Sequence, residues 1–180
     1  MVQRIKLTVK GITPLLMHRF PLEEIEAIEK KSIEEQAEIA AYRDPDTEEL
    51  YVPGIAFQRA LISGATYSKG KGRGSLQKSA AACLIVYPER ISLGTKKYAI
   101  DIRPVVVPAT KGRINRVRPR LDNWELSPVI EYDDTLLTEN QLRKIVDDTG
   151  QRVGLLDFRP EKKGYFGRFV VVRWRRKNRV

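Results

Sequence analysis

Residues 3 to 12, QRIKLTVKGI, place Ile5, Leu7 and Val9 on one face at a period of two. That alternation predicts a half-buried strand, which Gly11 and Pro14 bring to an end. The stretch LEEIEAIEKKSIEEQAEIAAY then sets apolar residues at 22, 25, 28, 33, 37 and 40, close to helical spacing, with no glycine or proline inside. It predicts an acidic amphipathic helix with Ser32 as its weak point. YVPG reads as extended, and IAFQRALISGATY as a helix from Pro53 that weakens at Gly64. LQKSAAACLIVY starts helical and ends as a buried strand at 84–87, and ERISLG and KYAIDIRPVVVP supply further strands. Pro104 and Pro108 confine the last of these to a sheet edge or to its own ends. WELSPVIEY alternates again. TENQLRKIVDDTG reads as a helix with Thr138 as N-cap, Gln141 completing a capping box and Gly150 as the stop. The chain closes on the loop RPEKKGYFG and the strand RFVVVRW, in which Phe169, Val171 and Arg173 share one face and Val170, Val172 and Trp174 the other.

Strand, helices, several strands, helix, strand is the order of an α+β fold. Its economical form is a ferredoxin-like, RNA-recognition-type antiparallel sheet with helices on one face and inserted loops. No internal repeat or linker divides the chain, so 1–180 is expected to form one domain. Its insertions are an acidic helical segment at about 21–44, a basic glycine-rich loop at about 68–78 and an arginine-rich segment at about 110–120.

Charge sharpens this picture. The net charge is +10 over 180 residues, yet residues 23–49 hold eleven acids against three bases, a local −8 that leaves +18 on the remainder. So polarised a surface has a strong field of one sign, and nucleic acid is the commonest polyanion to meet it. Nothing approaches the roughly 18 consecutive apolar residues of a membrane span, and the N-terminus lacks a signal peptide's apolar block. A soluble, cytoplasmic protein with no membrane partner is expected. The single cysteine, Cys83, sits in an apolar run, which excludes a disulfide framework and a thiolate zinc site.

Catalytic chemistry is sparsely provided for. His18 is the only histidine and so the only candidate for histidine acid–base work. Asp44 and Asp46 in RDPDT suit either a divalent cation or a proline turn with Asx hydrogen bonds. No phosphate-binding loop, nucleophile elbow or zinc spacing is present, and no cofactor or metal is expected. The binding signals are denser. Lys69, Lys71 and Arg73 lie among the glycines of SKGKGRGS, where cationic heads and backbone amides can both approach phosphates. KGRINRVRPR carries Lys111, Arg113, Arg116, Arg118 and Arg120 with no acid. In an extended segment the last three project to one side in steps of roughly 6–7 Å, near the phosphate spacing of a single strand. As solvated side chains, their joint replacement by alanine is expected to leave the fold intact. KKGYFGRF interleaves Lys162, Lys163 and Arg168 with Tyr165 and Phe166, and RWRRKNR extends the charge beyond them. Aromatic faces for bases beside cations for phosphates are the recipe for single-strand binding.

VKGITPLLMHR, VPGIAFQRALISGA and KKGYFGRFVVV together resemble the RAMP superfamily of CRISPR proteins, most of all the backbone subunit that polymerises along guide RNA. The resemblance implies a ferredoxin-like core elaborated by insertions and a grip on RNA that ignores its sequence. The family's glycine-rich loop maps onto Gly164 and Gly167. A phage-encoded relative that coats single-stranded DNA fits the same residues. The expected function is therefore a sequence-tolerant, non-enzymatic holder of single-stranded RNA or DNA, in a head-to-tail oligomer or a multi-subunit complex. A metal-independent endoribonuclease using His18 and a structural component of a ribonucleoprotein or virion are the alternatives.

Overall fold

The computed structural model describes residues 1–177, so the end of the basic C-terminal run, 178–180, lies outside the described residues. Strand β1 (Val2–Gly11) follows its alternation, burying Ile5, Leu7 and Val9 completely while Arg4, Lys6 and Lys10 face solvent. It runs inside a five-stranded antiparallel sheet. On one side lies β10 (Phe169–Lys177), on the other β8 (Glu125–Leu126) and β9 (Val129–Asp133), and β4 (Ile85–Tyr87) closes the far edge. Helices α3 (Gly54–Gly64) and α5 (Glu139–Asp148) share a core with this sheet, joining Phe57, Leu61, Leu142, Ile145 and Val146 to Ile5, Leu7, Val9 and Ile130. The chain order β1-α3-β4-β9-α5-β10 with the spatial order β10-β1-β9-β4 is the ferredoxin-like arrangement the sequence predicts. Phe169, stacked on Phe57 at 5.8 Å and edge-on to Trp124 at 6.3 Å, closes one end of that core.

Everything else is inserted between these six elements. After β1 come β2 (Leu15–Leu16), α1 (Ile25–Glu29), α2 (Ile33–Ala40) and β3 (Tyr51–Pro53). The acidic helix is thus two helices. Ser32 divides them because its side chain caps Glu35 N while the Glu35 carboxylate returns to Ser32 N, a capping box that starts α2 afresh. After α3 lie the glycine-rich hairpin and α4 (Gln77–Cys83). Between β4 and β8 come β5 (Arg90–Ser92), which pairs with β3, and the long hairpin of β6 (Ala99–Val106) and β7 (Arg113–Leu121). With β2 this hairpin forms a second sheet, ordered β2-β7-β6, which leaves Pro104 on an edge strand as its missing N–H requires.

Two local expectations fail for identifiable reasons. Gly150 does not stop α5. The backbone continues as a wider π-type turn through Thr149–Val153 and ends at Gly154, whose φ is +74°. Gly150 instead makes room for the next layer, since a Cβ there would lie 2.2 Å from the Phe169 carbonyl oxygen. Along β10 the pairing shifts register between Thr8 and Val9, so that Val172 has no partner on β1. This bulge moves Trp174 onto the face of Phe169 and Val171, where its Nε1 donates to Glu139 at 2.9 Å, instead of the face of Val170 and Val172. Among the described residues no helix is long and apolar enough to cross a membrane.

At α5 the capping box is present as expected, with Gln141 N donating to the Thr138 hydroxyl at 3.2 Å and Thr138 N to the Gln141 side chain at 2.9 Å. Thr138→Ala should therefore lower the unfolding free energy by about 1 kcal/mol in a denaturant titration, and Thr138→Ser by much less.

Candidate nucleic-acid interface

In β7 the residues Arg116, Arg118 and Arg120 do project to one side, and the pairing sets Arg103 opposite Arg116, Asp101 opposite Arg118 and Ala99 opposite Arg120. That side is interior. Arg118 is 2% exposed and lies between Asp157, at 2.5 Å, and Asp101, at 3.8 Å. Arg120 binds Asp122 at 2.7 Å and lies 3.6 Å from Asp101, while Arg103 donates to both oxygens of Asp101 at 3.0 and 2.9 Å. The same guanidinium groups lie over aromatic rings of the 154–168 loop. Arg103 is 4.8 Å and Arg120 5.9 Å from the Phe166 centroid, and Arg118 is 6.0 Å from that of Phe158. The expected phosphate ladder is thus corrected: these arginines fasten a loop to a sheet. Arg118 cannot reach a phosphate, and replacing all three by alanine would strand Asp157 and leave Asp101 with Arg103 alone, instead of leaving the fold intact. Arg116, half-buried and without an acidic partner among the described residues, is the exception.

Phe166 needs the same correction. It is 0% exposed, packed between Tyr165 at 4.5 Å and Phe158 at 5.8 Å, so it cannot stack on a base. Tyr165 beside it is 49% exposed. The glycines explain the difference. Gly167 adopts φ +74° with a would-be Cβ 2.0 Å from the Leu155 oxygen, and at Gly164 a Cβ would lie 1.8 Å from the Phe158 oxygen. The loop doubles back on itself and turns one ring in and its neighbour out. Lys162 and Lys163 are exposed on this loop, without acidic partners among the described residues. Arg168 is half-buried, with its backbone N–H donating to the Thr13 hydroxyl at 2.9 Å and its buried Nε unpartnered.

The remaining predicted cations lie elsewhere. Lys111 and Arg113 sit at the β6–β7 turn, so that Arg113 is about 24 Å along the strand from Arg120. Lys69, Lys71 and Arg73 ride a hairpin closed by the Gly70 N–H on the Gly74 carbonyl at 2.8 Å. Its preceding turn, Ala65–Tyr67, packs with α3, α4 and α5 on the helical side of the main sheet. His18 is half-buried, and burial, reinforced by the charge of Arg116, lowers its pKa, leaving a neutral imidazole at pH 7. Asp44 forms an Asx turn, accepting from Asp46 N at 2.8 Å, and the described residues hold no His/Cys/Asp/Glu group fit for a metal ion.

The surface that does offer unneutralised charge was missed. Helices cover only one face of the main sheet. On the other, β10 presents Arg173, Arg175 and Lys177 at two-residue spacing, steps of about 6.8 Å. Directly across on β1 stand Thr8, Lys6 and Arg4, with Lys10 opposite Val170 further along. Arg4 is bound by Glu131 at 2.7 Å. Lys6, Lys10, Arg173, Arg175 and Lys177 have no ion-pair partner among the described residues. Like charges directly opposite destabilise a sheet, and here Lys6 faces Arg175 with nothing between. The ladder expected on β7 thus exists on β10, doubled by β1, and the 162–168 loop leads straight into it. Its signal was legible in the polar phase of QRIKLTVK and RWRRK, positions easily read as ordinary solvent-facing residues.

No protein-family model and no curated protein matches the chain. Solved structures do. A chain of the cryo-EM structure of the Type III-B Cmr-beta bound to cognate target RNA is similar over 97% of this chain, with a TM-score of 0.56 and 11% identity. This chain spans 60% of that one. At such identity the likeness establishes a shared fold.

The burial contrast has a direct test. Phe166→Ala should cost about 3–5 kcal/mol of stability by thermal or chemical denaturation. Tyr165→Ala should leave the unfolding transition nearly unmoved, and equal losses for both would mean that the loop packs otherwise.

Proposed function

We propose that this chain is a RAMP-type subunit that holds single-stranded RNA by its phosphates, without reading its sequence, within an assembly of several subunits. The observation that carries the reading is the open sheet face, where Arg173, Arg175 and Lys177 on β10 and Lys6 and Lys10 on β1 stand together unneutralised. Such a surface is costly to a lone protein and favourable to a polyanion. Contacts of lysine and arginine with phosphate fix position and carry no sequence information. Lys162, Lys163 and Tyr165, at the entrance to β10, add charge and one exposed ring for stacking. The fold shared with a chain of an RNA-bound complex supports RNA as the ligand and assembly as the context.

Assembly has its own support. Phe20 and Leu22 are 86% and 94% exposed, beside an apolar cleft of about 420 Å³ between residues 18–29, α2 and β7, lined by Ile28, Ile39, Ile114 and Val117. Glu23, Glu24 and Glu29 rim it. Large exposed apolar side chains ringed by one sign of charge mark an interaction site. A second copy complements it: its hairpin with Lys69, Lys71 and Arg73, beside the exposed Tyr67 under Arg152, is basic and aromatic and is left free when the sheet holds RNA. This contact joins unlike surfaces and so propagates head to tail.

For binding, log K against log[salt] on a single-stranded RNA 20-mer should slope at about −3 to −4. Lys6→Ala/Arg173→Ala/Arg175→Ala should flatten that slope by about 2, and an unchanged slope would remove the sheet face from the interface. Equal affinity for single-stranded DNA would point to a strand-coating role without sugar preference.

For assembly, reversing Glu26, Glu29 and Glu34 to Lys should abolish cooperative filaments on a long strand while retaining affinity for a short oligonucleotide. Unchanged filaments in electron micrographs would reduce the acidic helices to a solubility device.

A further inference from the structure

The main sheet ends on β10, and that end is open. Among the described residues β10 pairs with β1 and with no other strand, so one row of its backbone groups has no partner. The bonds of β1 identify the row. Leu7 N donates to the Pro128 carbonyl at 3.1 Å and Gly11 N to that of Trp124 at 2.9 Å, so the odd positions of β1 bond toward β8 and β9. Its even positions bond toward β10, which turns the backbone groups of Arg173 and Arg175 inward, across from Thr8 and Lys6. Those of Trp174 and Arg176, across from Leu7 and Ile5, therefore point outward. Such a row is a template for one more strand. The other sheet edges are short or blunted. Strands β2, β3, β4 and β5 have two or three residues each, and β6 carries Pro104, which has no N–H to offer. β10 runs nine residues without proline or glycine.

The side chains of β10 dictate what the added strand has to carry. Successive residues of that strand alternate between the open face and the helical face of the sheet. On the open face they lie beside Arg173, Arg175 and Lys177, which have no ion-pair partner among the described residues and call for carboxylates. On the helical face they lie beside Val171 and Trp174, half-buried against the core, with the Arg143 guanidinium 5.3 Å from the Trp174 ring centroid. This side calls for apolar residues. A second copy of β10 meets neither demand. Paired about a two-fold axis through the outward groups of Trp174 and Arg176, it would set Arg175 opposite its own counterpart and Arg173 opposite Lys177. The cations thus reject a like strand and select an acidic one.

We propose that the free edge of β10 docks an extended segment of a partner protein, alternating acidic with β-branched residues, as a further strand of the main sheet. Its main chain bonds Trp174 and Arg176, and its carboxylates pair with Arg173, Arg175 and Lys177. This docking goes beyond the RNA reading and does not depend on it. Where both hold, the two ligands exclude each other, because the carboxylates occupy the cations that a phosphate strand would use. The partner is then an off-switch for strand binding.

The probe is a short capped peptide alternating glutamate and valine, added to the full chain, with amide hydrogen exchange along β10 and affinity as the readouts. Exchange at Trp174 and Arg176 should slow when the peptide binds. Methylating the peptide nitrogens that face β10 removes the main-chain bonds and should weaken binding about tenfold. Arg173→Ala/Arg175→Ala should weaken it about fivefold. Arg176→Pro, which removes an outward donor and none of the ladder cations, should lose the peptide and keep single-stranded RNA; if that variant does not fold, the methylated peptide decides, since it leaves the protein unchanged. Unaltered exchange at Trp174 and Arg176 would overturn the proposal, and so would equal affinity for the methylated peptide or for one with its glutamates gathered in a block, since charge alone would then explain binding. A protein that binds RNA and ignores the peptide loses the docking site and keeps the RNA reading, whereas one that binds the peptide and not RNA keeps the docking site alone.

Discussion

Arg118 between Asp101 and Asp157 is the interaction on which the peripheral architecture rests. A guanidinium this deeply buried persists only with acids close enough to compensate its lost hydration, and here they come from two separate insertions, the β6–β7 hairpin and the loop after α5. One ion-paired cluster therefore couples elements that the six-element core does not hold together. Around it, Arg103 and Arg120 cap the Phe166 ring and Asp101 gathers three arginines at once. Arg118 and Arg120, at the centre of the arginine-rich segment, are consequently taken up by the fold and not offered to a ligand.

That neutralisation leaves the unpaired cations on the core sheet, the surface we propose for the strand. The spatial order β10-β1-β9-β4 sets the first and last strands side by side, so cations far apart in sequence meet as cross-strand neighbours. Lys6 and Arg175 become a repulsive pair only through topology. Their charge is exposed, so its influence falls off within a Debye length of about 10 Å at moderate salt, and it acts on a ligand that lies against the sheet and hardly on one further away. The bulge at Val172 serves the same end. It returns Trp174 to the core and aligns Arg173, Arg175 and Lys177 outward, where an unbroken alternation from Phe169 would have turned those three inward.

What was legible in the sequence was what depends on near neighbours. Period-two burial in β1, the capping box at Thr138 and the helix from Gly54 to Gly64 are each decided within a few residues, and each is found where the pattern puts it. The alternation of Arg116, Arg118 and Arg120 was equally local and equally correct. Its meaning was not, because Asp157 lies 39 residues from Arg118 and nothing in KGRINRVRPR announces it. Tyr165 and Phe166 present the same difficulty at closer range. Adjacent aromatic residues in a loop carry no periodicity, and which one is buried is set by the fold of the glycines around them and by two arginines from another sheet. Gly150 misled for a related reason: a glycine after a helix suggests a stop, but this one is small because Phe169 passes over it.

The placement of the acids completes the electrostatic logic. On the open sheet face Glu131 neutralises Arg4 from β9, and Glu125 on β8 stands across from Lys10, so the positive potential is trimmed on the β8–β9 side and left whole along β10. A polyanion lying on this face is thereby directed along the β1–β10 pair, parallel to the strands, and not across the sheet toward β4. Along that line the steps of about 6.8 Å between successive cations match one extended phosphodiester unit per step, which an A-form duplex with its compact rise does not provide. The bulk of the remaining acid is sequestered in residues 23–49, in an insertion whose α2 packs on the reverse face of β7. Had those carboxylates been distributed over the core strands, the same net charge of +10 would have produced no ladder at all.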